Sequence, residues 1–133
     1  MKDITYSEFK EMLLYRKVVE WDTDTITLDN GVKISIEETE QDCCASASGE
    51  FTDVELNAVI TDVSDIKYKQ WDDGDTYGQT AVVKMFHNRN LICKAEGNAD
   101  AGNGGYYYSI ASFVIRVPNE KQKLCAFFVS SDE

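Results

Sequence analysis

The residues with the most specific chemistry in this chain are four cysteines, Cys43, Cys44, Cys93 and Cys125, and its one histidine, His87. Thiolate and imidazole are the usual donors of a tetrahedral zinc site. Cys43, Cys44, His87 and Cys93 supply one such set, with Asp42 beside the pair, for a structural zinc without an open position. No C-x-x-C pair occurs, so the spacing that marks most structural zinc sites is missing. Neighbours on a regular strand point to opposite faces, so Cys43 and Cys44 share an ion only from a turn or a bulge. The alternative is four inert thiols, mostly buried, as is common in a reducing compartment. Cys44 or Cys93 with His87 can be drawn as a nucleophile and its base, but any chain with these residues allows that drawing. Neither G-x-S-x-G nor H-E-x-x-H is present, and a protein that is not an enzyme is expected.

Charge is the second signal. The 133 residues hold 13 Lys+Arg against 24 Asp+Glu, a net charge of −11. The segment from Glu20 to Asp75 carries sixteen acids against Lys33, Lys67 and Lys69, while the flanks on either side are close to neutral. A single-sign field of this kind repels phosphate. It argues against direct contact with nucleic acid or an anionic membrane and favours a basic protein partner. The carboxylates expected to meet that partner are Asp22, Asp24, Asp29, Glu37, Glu38, Glu40, Asp72, Asp73 and Asp75. An acidic surface also keeps a small protein soluble without any partner. A different reading is a small-ligand module that sequesters a signal nucleotide, for which Lys84, Arg89, Lys94 and Arg116 would have to line one pocket.

Three weaker patterns do not carry a function. Asp72, Asp73 and Asp75 around Gly74 lack the D-x-D-x-D-G spacing and closing glutamate of a calcium loop. The glycine-rich stretch from Gly97 to Gly105 has no G-x-x-x-x-G-K-[ST], and no lysine or arginine lies between Gly97 and Ile115, so it reads as a flexible loop. Tyr106, Tyr107 and Tyr108 would stack bases only beside a basic groove, and the better reading is a sheet with two of them half-exposed.

The elements that position these residues are legible in part. The length fits one domain with a core of its own. No apolar run reaches the ~18 residues of a membrane span, and Met1-Lys2-Asp3-Ile4 does not open like a signal peptide, so a cytoplasmic location is expected. Thr5-Tyr6-Ser7-Glu8 is a capping box with Ile4 and Phe9 at the staple positions, and Phe9, Met12, Leu13 and Arg16 continue at helical spacing, which predicts a helix from Tyr6 to Arg16. Thr25 to Leu28 and Val32 to Ile36 alternate around Asp29-Asn30-Gly31. A three-residue loop is preferred because it sets Leu28 opposite Val32 and Ile26 opposite Ile34, with Gly31 at a left-handed bulge. Val54 to Val63 is ambiguous and leans to strand after Ala58. Trp71 to Asp75 reads as a polar loop. Thr80 to Phe86 and Leu91 to Ala95 form a second hairpin, and Ile110 to Val117 and Leu124 to Val129 two further strands. The expected class is α+β, mainly antiparallel sheet with a short N-terminal helix.

The order Asp24-Thr25-Ile26-Thr27-Leu28-Asp29-Asn30-Gly31, then Asp42-Cys43-Cys44, then Ile60-Thr61-Asp62-Val63, then Gly104-Gly105-Tyr106 resembles an uncharacterised family of small phage and prophage proteins. The D-C-C after a hairpin is the most specific part of the likeness. The resemblance implies a viral origin and no established biochemistry. In size, acidity and expected location in a bacterial host the chain is also similar in character, though not in sequence motif, to anti-CRISPR inhibitors, many of which present carboxylates to the basic nucleic-acid channel of a nuclease. That implies a CRISPR effector nuclease, or a like host defence protein, as the partner.

Overall fold

Hydrogen bonding at the N-terminus follows the local sequence. The structure, a computed structural model, describes residues 1–105 and 107–131. Lys2–Ile4 is a short strand, β1, and Tyr6–Leu13 the helix α1. At its start the Glu8 amide donates to the Thr5 hydroxyl at 3.1 Å and the Thr5 amide donates to the Glu8 carboxylate at 3.2 Å, which closes the capping box. The helix stops short of the expected Arg16. Leu14 is extended and Tyr15 left-handed at φ 67°, because the Tyr15 amide donates to the Ile60 carbonyl and the Ile60 amide to the Arg16 carbonyl. Pairing with a distant segment takes the peptide groups that another helical turn would need.

The next strands are β2 (Val18–Trp21), β3 (Thr25–Leu28) and β4 (Lys33–Gln41). The β3–β4 hairpin closes through three residues: the Leu28 amide donates to Val32 and the Gly31 amide to Leu28, Ile26 faces Ile34, and Gly31 has φ 87°. Only a residue without a Cβ fits there easily, since a Cβ on Gly31 would also lie 2.9 Å from Pro118. Then come β5 (Ser46–Thr52), β6 (Asp62–Val63), β7 (Lys67–Asp72), β8 (Tyr77–His87), β9 (Asn90–Asp100), β10 (Ser109–Arg116) and β11 (Leu124–Ser130).

These strands make two sheets. The first has the order β1-β11-β10-β4-β3-β2 and is antiparallel except where β1 joins β11; the second has the order β5-β9-β8-β6, with β7 also along β8. They pack face to face. Ile26, Ile34, Ile36, Phe113, Ile115 and Phe128 of the first sheet meet Phe51, Ala81, Val83, Met85, Ala95 and Ala99 of the second in one buried cluster. Phe9 of α1 stacks on Phe113, and Phe113 on Phe128, both with centroids 4.4 Å apart. Gly49 and Gly97 face each other across β5 and β9 and admit Ile36 and Phe128, where a Cβ would come within 2.4 Å and 2.7 Å of the opposing side chains.

The chain is thus a β-rich sandwich with one short helix near its N-terminus, and the expected antiparallel sheet dominates it. The helical share is smaller than an α+β class implies. Gly97 is not in a flexible loop, since β9 runs on to Asp100, and Trp71 belongs to β7, where its ring packs over Gly78. Val54 to Val63 forms no helix, and within that stretch only Asp62–Val63 is strand, with Val59 in an isolated bridge to Lys17. Tyr106 of the tyrosine triplet lies outside the described residues. No helix among the described residues is long and apolar enough to cross a membrane.

Candidate functional site

Asp22 folds the turn between β2 and β3. Its carboxylate accepts the Asp24 and Thr25 amides, both at 2.8 Å, in an Asx turn. That turn sets Glu20, Trp21, Asp22 and Asp24 along one side of an open cleft of about 560 Å³ on the outer face of the first sheet. The cleft is floored by Thr25, Thr27, Lys33 and Ser35 and closed on its far side by Glu37 and Arg116. Trp21 stays 39% exposed.

The cleft's charges are not all alike. Arg116 Nη1 donates to Glu37 Oε2 at 2.9 Å and to Ser35 Oγ at 3.0 Å, and the Ser35 hydroxyl donates to the same Glu37 oxygen. Partial burial pushes the Glu37 carboxyl up, but the hydrogen bonds from Arg116 and Ser35 and the Arg116 charge outweigh it and hold the group below its ordinary value. Glu37 is therefore spent on Arg116. Glu20, Asp22 and Asp24 take part in none of the ion pairs among the described residues, which are Lys10–Asp65, Arg16–Asp29, Lys94–Glu96 and Arg116–Glu37. Surplus carboxylates beside an exposed indole suit a guanidinium or ammonium group, through charge-assisted hydrogen bonds and a cation–π contact.

The nine carboxylates expected to bind a partner fall into four groups. Asp22, Asp24 and Glu37 line this cleft. Glu40 lines a second cleft of about 470 Å³ farther along the same face, with Asp3, Thr39, Ser112 and Phe127, the last 48% exposed. Asp29 pairs with Arg16 at 3.8 Å, and Glu38 accepts the Ala47 amide at 3.2 Å, so both serve the fold. Asp72, Asp73 and Asp75 sit at the β7–β8 turn of the other sheet. There Asp72 accepts the Gly74 amide, and Asp73 accepts the Thr76 and Asp75 amides, which hold the Asp73 carboxyl below its ordinary value. The nine do not form one face. Glu20 and Trp21 were not singled out from sequence, although Asp22 two residues before Asp24 and three before Thr25 is a recognisable Asx-turn pattern directly after them.

The four residues of the expected zinc set are also separated. Cys43 and Cys44 are exposed in the β4–β5 turn, while Cys93 is buried in β9 and His87 ends β8. That turn abuts Gly102, beyond the Asp100 end of β9, whereas Cys93 is near the other end of the same strand. At ~3.3 Å per residue the separation is roughly 20 Å or more. No three His, Cys, Asp or Glu side chains among the described residues come close enough together to hold one ion. His87 Nδ1 instead donates to the Val59 carbonyl at 2.9 Å. Cys93 is a core thiol, pushed up to about 12 by burial and then by Asp53. The basic residues named for a nucleotide pocket do not converge either. Lys84 and Lys94 pair across β8 and β9 on the second sheet, Arg89 lies in the turn joining those strands, and Arg116 is on the first.

No curated protein and no solved structure matches the chain. A family model described as a domain of unknown function, DUF7448, matches residues 11–114. The match takes in the cleft's Glu20 to Glu37 wall and the Asp42-Cys43-Cys44 turn, and on that extent the chain belongs to the DUF7448 family.

Proposed function

We propose that the protein is a non-enzymatic inhibitor of phage or prophage origin that acts in the cytoplasm of a bacterial host. It binds a basic, nucleic-acid-handling defence protein, for which a CRISPR effector nuclease is the type, through the outer face of the first sheet. The observation that supports this reading is the cleft in which Glu20, Asp22 and Asp24, which take part in no ion pair among the described residues, lie beside an exposed Trp21, with Lys33 and the Glu37-paired Arg116 as the cleft's cations. A protein channel lined with lysine and arginine to hold phosphates offers the complementary groups, and carboxylates in the cleft compete for them. Glu40 and Phe127 extend the same surface along the sheet.

DNA cleavage by purified effector nucleases, with and without the protein, tests this reading. Inhibition is expected for at least one effector, weakening as salt is raised. Glu20→Lys/Asp24→Lys, which leaves the turn-forming Asp22 in place, should weaken it at least tenfold, or about 1.4 kcal/mol. Inhibition that ignores both salt and this charge reversal, or no inhibition of any effector, would overturn the proposal.

A further inference from the structure

Cys43 and Cys44 form the tip of the β4–β5 turn, and the chain around them is fixed at every side. The Asp42 amide donates to the Tyr108 carbonyl at 2.9 Å, the Ala45 amide to the Asp42 carbonyl at 3.3 Å, and Gln41 Nε2 to the Ala45 carbonyl at 2.7 Å. Beyond the turn, Ser46 donates to the Asp100 carboxylate through both its amide and its hydroxyl. The Cys44 carbonyl packs so closely on Gly102 that a Cβ there would approach it to 2.7 Å. Cys44 itself is held left-handed at φ 76°, a conformation rare for a residue with a side chain. On a regular strand the two thiols would point apart. Here both are exposed, and their sulfurs are 2.7 Å from each other. The other two cysteines are buried.

We propose that Cys43 and Cys44 are a redox-responsive vicinal dithiol, which a low-molecular-weight disulfide such as glutathione disulfide converts reversibly into a Cys43–Cys44 disulfide. In the first step the Cys43 thiolate attacks one sulfur of glutathione disulfide. The S–S bond of that reagent breaks and one glutathione thiolate leaves. In the second, the Cys44 thiolate attacks the Cys43 sulfur of the mixed disulfide, and the second glutathione thiolate leaves. Two protein thiols lose two electrons to form one disulfide, glutathione disulfide gains them, and the two protons pass through solvent to the two glutathiones. Contact between the sulfurs makes the second step intramolecular, so it outruns displacement by another glutathione. Adjacent Cα atoms lie ~3.8 Å apart, below the ~4.4–6.8 Å span of ordinary disulfides, so the bond is labile and a dithiol reductant reopens it.

Intact-protein and peptide mass spectrometry after exposure of the native chain to glutathione disulfide decides the matter. The expected product is monomeric, lacks two hydrogens on the peptide that holds both cysteines, carries no lasting glutathione adduct, and reverts with dithiothreitol. Cys43→Ser should instead leave a persistent glutathione adduct on Cys44. A lasting adduct on the unaltered chain, a disulfide-linked dimer, or no reaction at this peptide would overturn the proposal.

Discussion

Replacing Gly97 with alanine adds one methyl group at the centre of the sandwich, and the sign of its effect depends on where Gly97 is. In a flexible glycine loop the change would stabilise the protein by about 0.4–1 kcal/mol, because alanine restricts the unfolded chain. In β9 the new Cβ would lie 2.7 Å from Phe128 Cε2, 2.9 Å from Phe128 Cδ2 and 3.2 Å from Val129 Cγ1. Phe128 cannot retreat, since it is fully buried and stacked on Phe113. Overpacking of this kind costs ~1–3 kcal/mol, and the better strand propensity of alanine returns only part of it. A net loss of about 1–2 kcal/mol is expected, which for a domain of this size lowers Tm by ~4–8 °C. Urea denaturation followed by tryptophan fluorescence gives the free energy, and Phe128→Leu completes a double-mutant cycle. The double variant should be more stable than the sum of the single losses predicts, by at least ~0.5 kcal/mol. A Gly97→Ala protein as stable as the parent, or strictly additive variants, would refute the account of Phe128 packing into the space that Gly97 leaves.

Thr5→Ala should cost about 1 kcal/mol in the same denaturation assay, because it removes the acceptor for the Glu8 amide and half of the capping box. Burial raises the Cys93 thiol in the folded state, so stability is full below the ordinary thiol range and declines as pH climbs from ~8.5 towards 12, at up to ~1.4 kcal/mol per unit; Cys93→Ala should remove the part of the decline that precedes tyrosine ionisation near ~10. Protein purified without added metal should carry well under one zinc per chain by elemental analysis, because Cys43 and Cys44 are too far from His87 and Cys93 to share an ion; stoichiometric zinc that is lost in Cys43→Ser/Cys44→Ser would show that the separation argument fails.

What could be read from sequence was local. The capping box of Thr5 and Glu8 and the three-residue hairpin at Gly31 are settled by residues a few positions apart, and both form as their spacing dictates. The second hairpin is found too, although its strands extend to Tyr77 and Asp100 on either side. The elements that sequence did not show depend on distant partners. Lys2–Ile4 becomes a strand only because β11 lies alongside, and α1 ends at Leu13 because Ile60 accepts the Tyr15 amide and donates to the Arg16 carbonyl. Gly97 looked like the start of a loop because glycine favours loops in isolation. In the sandwich it is the lack of a side chain that counts, since Phe128 from the facing sheet needs the space.

The charge pattern shows the same limit at the level of the site. Sixteen acids between Glu20 and Asp75 suggest one acidic surface, but a stretch of sequence that contributes strands to both sheets must spread its charges over both. Several of these acids also have structural work. Asp22, Asp72 and Asp73 accept backbone amides and shape turns, Glu38 holds the Ala47 amide, and Asp29 and Glu37 face arginines. A carboxylate that accepts two amides still carries its full charge, so turn formation and partner binding do not exclude each other. Asp22 illustrates this: its hydrogen bonds to Asp24 and Thr25 place Glu20, Trp21 and Asp24 on one rim, and its own charge remains in the cleft they enclose. Net charge alone would make all nine chosen carboxylates equivalent. Geometry separates them, because only those on the outer face of the first sheet can meet the same basic surface at the same time.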